Sequence, residues 1–219
     1  MDLHGAVIFD EASANIIHFS GTGVSEAKRL EAIGRVCYNS ESKITEDSFR
    51  PFLNNIIKNG HESVLEHGSF TAKFYVNRAI ANEIVRHRLA SYSQESTRYC
   101  DYSKEIHFIL PSESVYWTEE RVEDFMARAK MQWDAYNSML DDGSNKQIAR
   151  DILPLCTATT LIMTANYREW RHFFSLRCSL RAHPDIRKVA IQLLEQAHES
   201  IPVIFDGLYK AYAKKGLCF

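Results

Sequence analysis

From Ser69 to Asn77 the residues Phe70, Ala72, Phe74 and Val76 alternate with Thr71, Lys73 and Tyr75, a period of two that specifies a strand with one buried face. The run leads directly into Ile80, Ala81, Ile84 and Val85, whose spacing predicts a helix beginning near Ala79. The β-branched stretch over 158–165 reads as a second core strand, and Ile106 to Leu110 as a short one closed by Pro111. Further helices are expected from Ser25 through Ala27, Leu30, Ile33 and Val36, from Thr45 to near Gly60, and from the Thr118 cap to Gly143. A short one capped by Asn145 runs through Ile148 and Ile152 and stops near Pro154, and three more cover about 167–179, 184–199 and 201–214. Strands and helices mix without regular βαβ alternation. The expectation is an α+β fold in which one domain, residues 1–219, packs a mixed, largely antiparallel sheet against several helices.

Composition supports one folded domain. Of 219 residues, 45% are hydrophobic, and Gly and Pro together are too few for a disordered chain. No stretch approaches the roughly 20 apolar residues of a membrane span, and the opening MDLHGAVIFDEA carries acids where an export signal carries bases, so no membrane association and a cytoplasmic location are expected. The formal charge of −2 gives no overall basic field, which argues against a nucleic-acid partner and requires any anion site to be local. Cys37, Cys100, Cys156, Cys178 and Cys218 form no CxxC pair and read as reduced, mostly buried thiols. Neither a dinucleotide fingerprint nor a P-loop is present, so side chains must hold any phosphate.

Two arginines stand out. On a helical projection Arg88 falls on the apolar face of Ile80, Ala81, Ile84 and Val85, whereas Arg86 falls opposite, beside Asn82 and Glu83. The helix after Asn166 places Arg177 among Trp170, Phe173 and Phe174. A guanidinium stays charged, and burying it without a partner costs several kcal/mol, so each demands an anion or convergent acceptors. Internal carboxylates such as Glu62, Glu66 or Glu95 could serve Arg88, or the helix could end before it. Arg98 and Arg150 add two more cations suited to phosphate. The segment Ser91 to Tyr99, which includes Arg98, is polar and aromatic, poor as core and well suited as a ligand loop.

His61, His67 and His87 match no known metal-ligand spacing and no HExxH is present, so no metal is expected. No GxSxG elbow marks a nucleophile, and Ser96, near His87, lacks an assured base.

Arg86, His87 and Arg88, then seven residues, then Ser96 reproduce the RHR(X)7S signature of the flavin-dependent thymidylate synthases. The chain also resembles that family at Gly60, His61, Glu62 and Ser63 followed by Glu66 and His67, at Ala149 and Arg150 before Leu153, Pro154 and Leu155, and at Asn166, Arg168, His172 and Arg177. The likeness covers about 60–178. It departs from the commonest pattern at Gln94 and Glu95, where many members have Glu and an apolar residue, and at His172, an Asn in some relatives.

The resemblance implies methylation of dUMP to dTMP, with methylenetetrahydrofolate giving the carbon, FAD carrying hydride and NADPH reducing it. It implies no cysteine nucleophile, and a homotetramer with active sites shared between subunits. FAD would contact Ser63, Arg86, His87, Arg88 and Gln94, with Asn166, Arg168 and His172 from another subunit. The nucleotide would meet Glu83, Arg86, Gln94, Glu95, Ser96, Thr97, Arg98, Arg150 and Arg177. Ser96 and Arg98 resemble phosphate contacts, and Arg177 resembles the catalytic arginine set against the uracil ring. Two other readings stay open on the residues alone: single-stranded RNA held by the basic helix and the aromatic loop, or an interaction protein in which Arg88 and Arg177 pair internally.

Overall fold

The computed structural model describes residues 5–214. In chain order the elements are β1 (Ala6–Asp10), β2 (Ser13–Phe19), α1 (Gly23–Val36), α2 (Phe49–Lys58), β3 (Ser69–Asn77), α3 (Arg78–Ile84), β4 (Ala90–Gln94), β5 (Glu105–Ile109), α4 (Glu119–Asp141), α5 (Lys146–Ala149), β6 (Ala158–Asn166), α6 (Tyr167–Arg177), α7 (Pro184–Ser200) and α8 (Pro202–Leu208). Strands β1 and β5 form a parallel pair, with Ala6 opposite Glu105 and Asp10 opposite Ile109. The other four strands form a sheet in the order β2-β3-β6-β4. The bonds Arg78 N to Thr157 O, Thr71 Oγ1 to Thr164 Oγ1 and Tyr167 N to Gly68 O keep a constant sum of residue numbers, so β3 and β6 are antiparallel. This is the expected α+β class.

Contacts divide the chain into two compact units. The first takes residues up to Ser13, Phe74–Arg86 and Ser93–Leu161, and the second takes Ala14–Lys73, His87–Tyr92 and the chain from Ile162 onward. Neither is one continuous stretch of sequence.

The first unit is built around Tyr102, Ile106, Phe108, Ala129, Trp133, Tyr136 and Ala149. Trp133, from the middle of α4, is fully buried and donates its indole N–H to Tyr102 O at 2.6 Å, so its one polar atom is satisfied inside the core. Thr118 caps α4 as expected, its hydroxyl accepting from Arg121 N, and Asn145 caps α5 by accepting from Ile148 N.

The second unit has an aromatic core. Phe70 of β3 stacks on Trp170 of α6 with centroids 4.2 Å apart, and Tyr167, Phe173, Phe174 and Phe205 surround the pair. Trp170 Nε1 donates to Phe70 O at 3.0 Å. Gly68 allows α6 to start here: a Cβ on it would lie 2.0 Å from the buried Tyr167 ring.

The expected starts of α1 and α2 are displaced by three residues. Thr22 flanks α1, with Ser25 Oγ donating to its carbonyl, and Ser48 flanks α2, accepting from Thr45 N. Strands β1, β2 and β4 were not expected; β4 takes the first part of the Ser91 to Tyr99 segment. Among the described residues no helix is long and apolar enough to cross a membrane. Cys218 lies outside the described residues.

Candidate functional site

Helix α3 ends at Ile84, and Val85 N already closes its last turn on Ala81 O. The projection that carried it on to Arg88 is therefore overturned. Arg88 is exposed, as is Arg86, whereas His87 between them is buried. The carboxylates considered for Arg88 are engaged elsewhere: Glu66 with Arg168 at 2.6 Å, Glu62 with Arg171 at 3.1 Å, and Glu95 with Tyr102 OH at 2.5 Å.

His87 joins two residues of α6. Arg177 donates Nε–H to His87 Nε2 at 3.1 Å, and His87 Nδ1 lies 3.1 Å from Glu169 Oε1. A guanidinium only donates, so Nε2 must carry the lone pair and Nδ1 the proton, which is then donated to Glu169. The imidazole is neutral. Burial lowers its pKa below the usual histidine range, and the charge of Arg177 adds to this against the opposing bond to Glu169. The ring stands edge-on to Phe173 at 4.9 Å, and His87 O accepts Tyr92 OH at 2.6 Å. Burial, with the nearby charge of Glu169, raises the Tyr92 phenol to about 12.

Arg177 ends α6, where the helix dipole favours a cation. It also lines a cavity of about 920 Å³ with Arg181 and Arg187. Leu176, Leu180, Ile191 and Tyr212 supply apolar surface there. Three guanidinium groups beside apolar side chains favour an anionic ligand with a flat, weakly polar body. Arg181 and Arg187 were missed from the sequence. The signal for Arg187 was available, because the projection that flagged Arg177 places Arg187 beside Ile191 and Leu194 on α7.

A second groove of about 680 Å³ in the same unit brings together Asn166, Arg168 and His172, along with Glu62, Glu66 and Leu89. Asn166 Oδ1 is committed to capping α6, accepting from Glu169 N at 2.9 Å. Arg168 remains half exposed despite its bond to Glu66. Ser63, on the turn Glu62–His67, is exposed and does not line the groove, nor does Arg88.

In the first unit the chain tightens after β4. Ser96 O accepts from Tyr99 N and Cys100 N, both at 3.0 Å, and Ser96 Oγ accepts from Arg98 N at 3.3 Å. Thr97 is buried and meets Arg150 Nη1 at 3.4 Å, so Ser96, Thr97, Arg98 and Arg150 adjoin one turn. Glu95 anchors its start through Tyr102 OH and through reciprocal bonds with Thr160, N to O at 2.9 Å and Oε2 from N at 3.4 Å. Gln94 Nε2 reaches Thr159 Oγ1 at 3.4 Å. Glu83 is half-buried near the end of α3.

A family model described as "Thymidylate synthase complementing protein" matches residues 23–203. A protein of Geobacter sulfurreducens named flavin-dependent thymidylate synthase is 39% identical over 178 residues, 78% of this chain and 77% of its own. Proteins of the same name from Corynebacterium aurimucosum and Mycobacterium tuberculosis are 32% and 34% identical, covering 85% and 80% of this chain and 82% and 77% of theirs. Among solved structures, the UMP/dUMP methylase PolB of Streptomyces cacaoi, bound with 5-Br dUMP, superposes with a TM-score of 0.77 over 94% of this chain and 97% of that one. At 22% identity that likeness speaks to the fold. The chain belongs to the flavin-dependent thymidylate synthase family of enzymes.

Proposed function

We propose that the protein methylates dUMP to dTMP, taking the carbon from methylenetetrahydrofolate, with FAD as the bound hydride carrier and NADPH as reductant. The observation that carries this reading is the cavity lined by Arg177, Arg181 and Arg187, with Arg177 held by a neutral His87. Negative charge developing on a uracil ring beside that guanidinium is stabilised by a donor already in place, the form of electrostatic assistance that most lowers a barrier. Arg177 is the catalytic residue in this account.

Ser96, Thr97, Arg98 and Arg150 are proposed to hold the nucleotide phosphate through the tight turn after β4, with Glu83, Arg86, Gln94 and Glu95 completing the nucleotide contacts. Glu95 acts there by fixing the start of the turn. Ser63, Arg86, His87, Arg88 and Gln94 are proposed to meet FAD, with Asn166, Arg168 and His172 from another subunit of a homotetramer. The donor set fits such a group: Arg168 offers a half-exposed cation, His172 an exposed imidazole, and Leu89, at 73% exposure, an apolar surface. Bound flavin supplies hydride transfer, which makes thiolate addition to the ring unnecessary.

The thiols accord with this. Burial raises Cys156 to about 11 and Cys178 further, so both are protonated and weakly nucleophilic at neutral pH. Residues 1–219 are read as one synthase domain, cytoplasmic and without a nucleic-acid or membrane partner. The test is dTMP formation by purified, FAD-loaded protein. Product that requires both methylenetetrahydrofolate and NADPH supports the reading, and well-folded, flavin-loaded protein that makes none contradicts it.

A further inference from the structure

We propose that Glu169 is a positioning residue that acts through His87 to set the direction of the Arg177 guanidinium toward its anionic ligand. The inference rests on the role given to Arg177 above and adds a residue to that site. Glu169 and Arg177 both lie on α6, eight residues apart, so a rise of about 1.5 Å per residue separates their backbones by roughly 12 Å. They are too far apart for a direct ion pair. The imidazole of His87, arriving from a different segment, spans the gap with one nitrogen on each partner.

Each part of this bridge is held. Glu169 is 7% exposed, and its backbone N–H is fixed by the Asn166 cap. The Asn166 to Glu169 spacing is that of a capping box, in which the carboxylate would turn back to the helix start. Here the carboxylate goes to the buried histidine. His87 cannot rotate freely, because Phe173 stands against its ring and Tyr92 OH holds its carbonyl. The carboxylate therefore selects the Nδ1–H tautomer, which leaves Nε2 as an acceptor for Arg177 Nε–H. Both ring nitrogens are engaged within the protein.

The test uses the FAD-loaded enzyme and three variants, Glu169→Gln, Glu169→Leu and Arg177→Ala. Gln retains an oxygen that accepts from Nδ1–H, and Leu does not. Histidine-selective ¹⁵N NMR should show His87 as the Nδ1–H tautomer in the wild type and in Glu169→Gln, and as a mixture in Glu169→Leu. In steady-state assays Glu169→Leu should lower kcat/KM for dUMP about 10- to 100-fold, whereas Glu169→Gln stays within about threefold of the wild type. Because Glu169 acts only through Arg177, adding Glu169→Leu to Arg177→Ala should cause no further loss. Additive losses, wild-type kinetics in Glu169→Leu, or an Nε2–H tautomer in the wild type would each overturn the proposal. If the wild type makes no dTMP, the functional reading fails, and the tautomer measured in wild type and Glu169→Leu still decides whether Glu169 sets the imidazole.

Discussion

Arg177 Nε donates to His87 Nε2 at 3.1 Å, a bond that only a neutral imidazole can accept. An arginine placed by sequence among aromatic residues thus has an uncharged acceptor from a segment 90 residues away. The contact fixes the Nε edge of the guanidinium, and Arg177 lines a cavity together with Arg181 and Arg187.

Removing this side chain should separate catalysis from folding. Arg177→Ala is expected to lower kcat at least about 100-fold, by analogy with loss of a preorganised electrostatic donor, while Tm shifts by only a few degrees. Parallel turnover and thermal-melt measurements check this. A large fall in Tm with turnover intact would reverse the assignment.

The start of the turn after β4, proposed above to hold the nucleotide phosphate, depends on Tyr102, whose hydroxyl bonds Glu95 at 2.5 Å and whose pKa burial and that bond raise well above the usual phenol range. Tyr102→Phe should cost about 1–3 kcal/mol, because it removes a bond to a charged group, and should raise KM for dUMP more than it lowers kcat. Urea titration and steady-state kinetics measure the two effects. An unchanged KM would free Glu95 from any part in nucleotide binding.

Strands β1 and β5 carry a titratable cluster. Asp10 accepts from Tyr75 OH and His107 Nδ1, both at 2.6 Å, and His107 Nε2 lies 3.1 Å from Glu105. The bond to Asp10 raises the His107 pKa, against partial burial and with help from Glu105. A raised folded-state pKa gives stability that is complete below the unfolded value of about 6.5 and is lost as pH rises through the folded value. The Tm difference between wild type and His107→Gln should be largest below about pH 6.5 and shrink as the pH rises above it. A difference that is flat with pH would remove the linkage.

Cysteine substitution tests the absence of a protein nucleophile. Cys156→Ala and Cys178→Ala should each retain turnover within about threefold, since burial keeps both thiols protonated. Loss of activity in either, with flavin still bound, would require a thiol in the reaction.

Much of the fold was legible where burial imposed a period. Strand β3 has the bounds its alternation gave, and the long α4 begins at the cap its sequence marked. Strand β4 carries Ser91, Tyr92, Ser93 and Gln94, a composition with little strand preference of its own; its place beside β6 makes it a strand. Arg88 was misplaced because no Gly or Pro marks the end of α3, so the helical pattern was extended one turn too far. The burial of His87 could not be read locally, because Glu169 and Arg177 lie 82 and 90 residues away. The signature marked Arg86, His87 and Arg88 as a group, and tertiary contacts decided that His87 turns inward.

The central claim is best tested by dTMP formation from dUMP with purified, FAD-loaded protein, methylenetetrahydrofolate and NADPH, omitting one component at a time. The account predicts dTMP only in the complete mixture, with NADPH bleaching the flavin absorbance under anaerobic conditions. Folded, flavin-loaded protein that yields no dTMP in the complete mixture would contradict it.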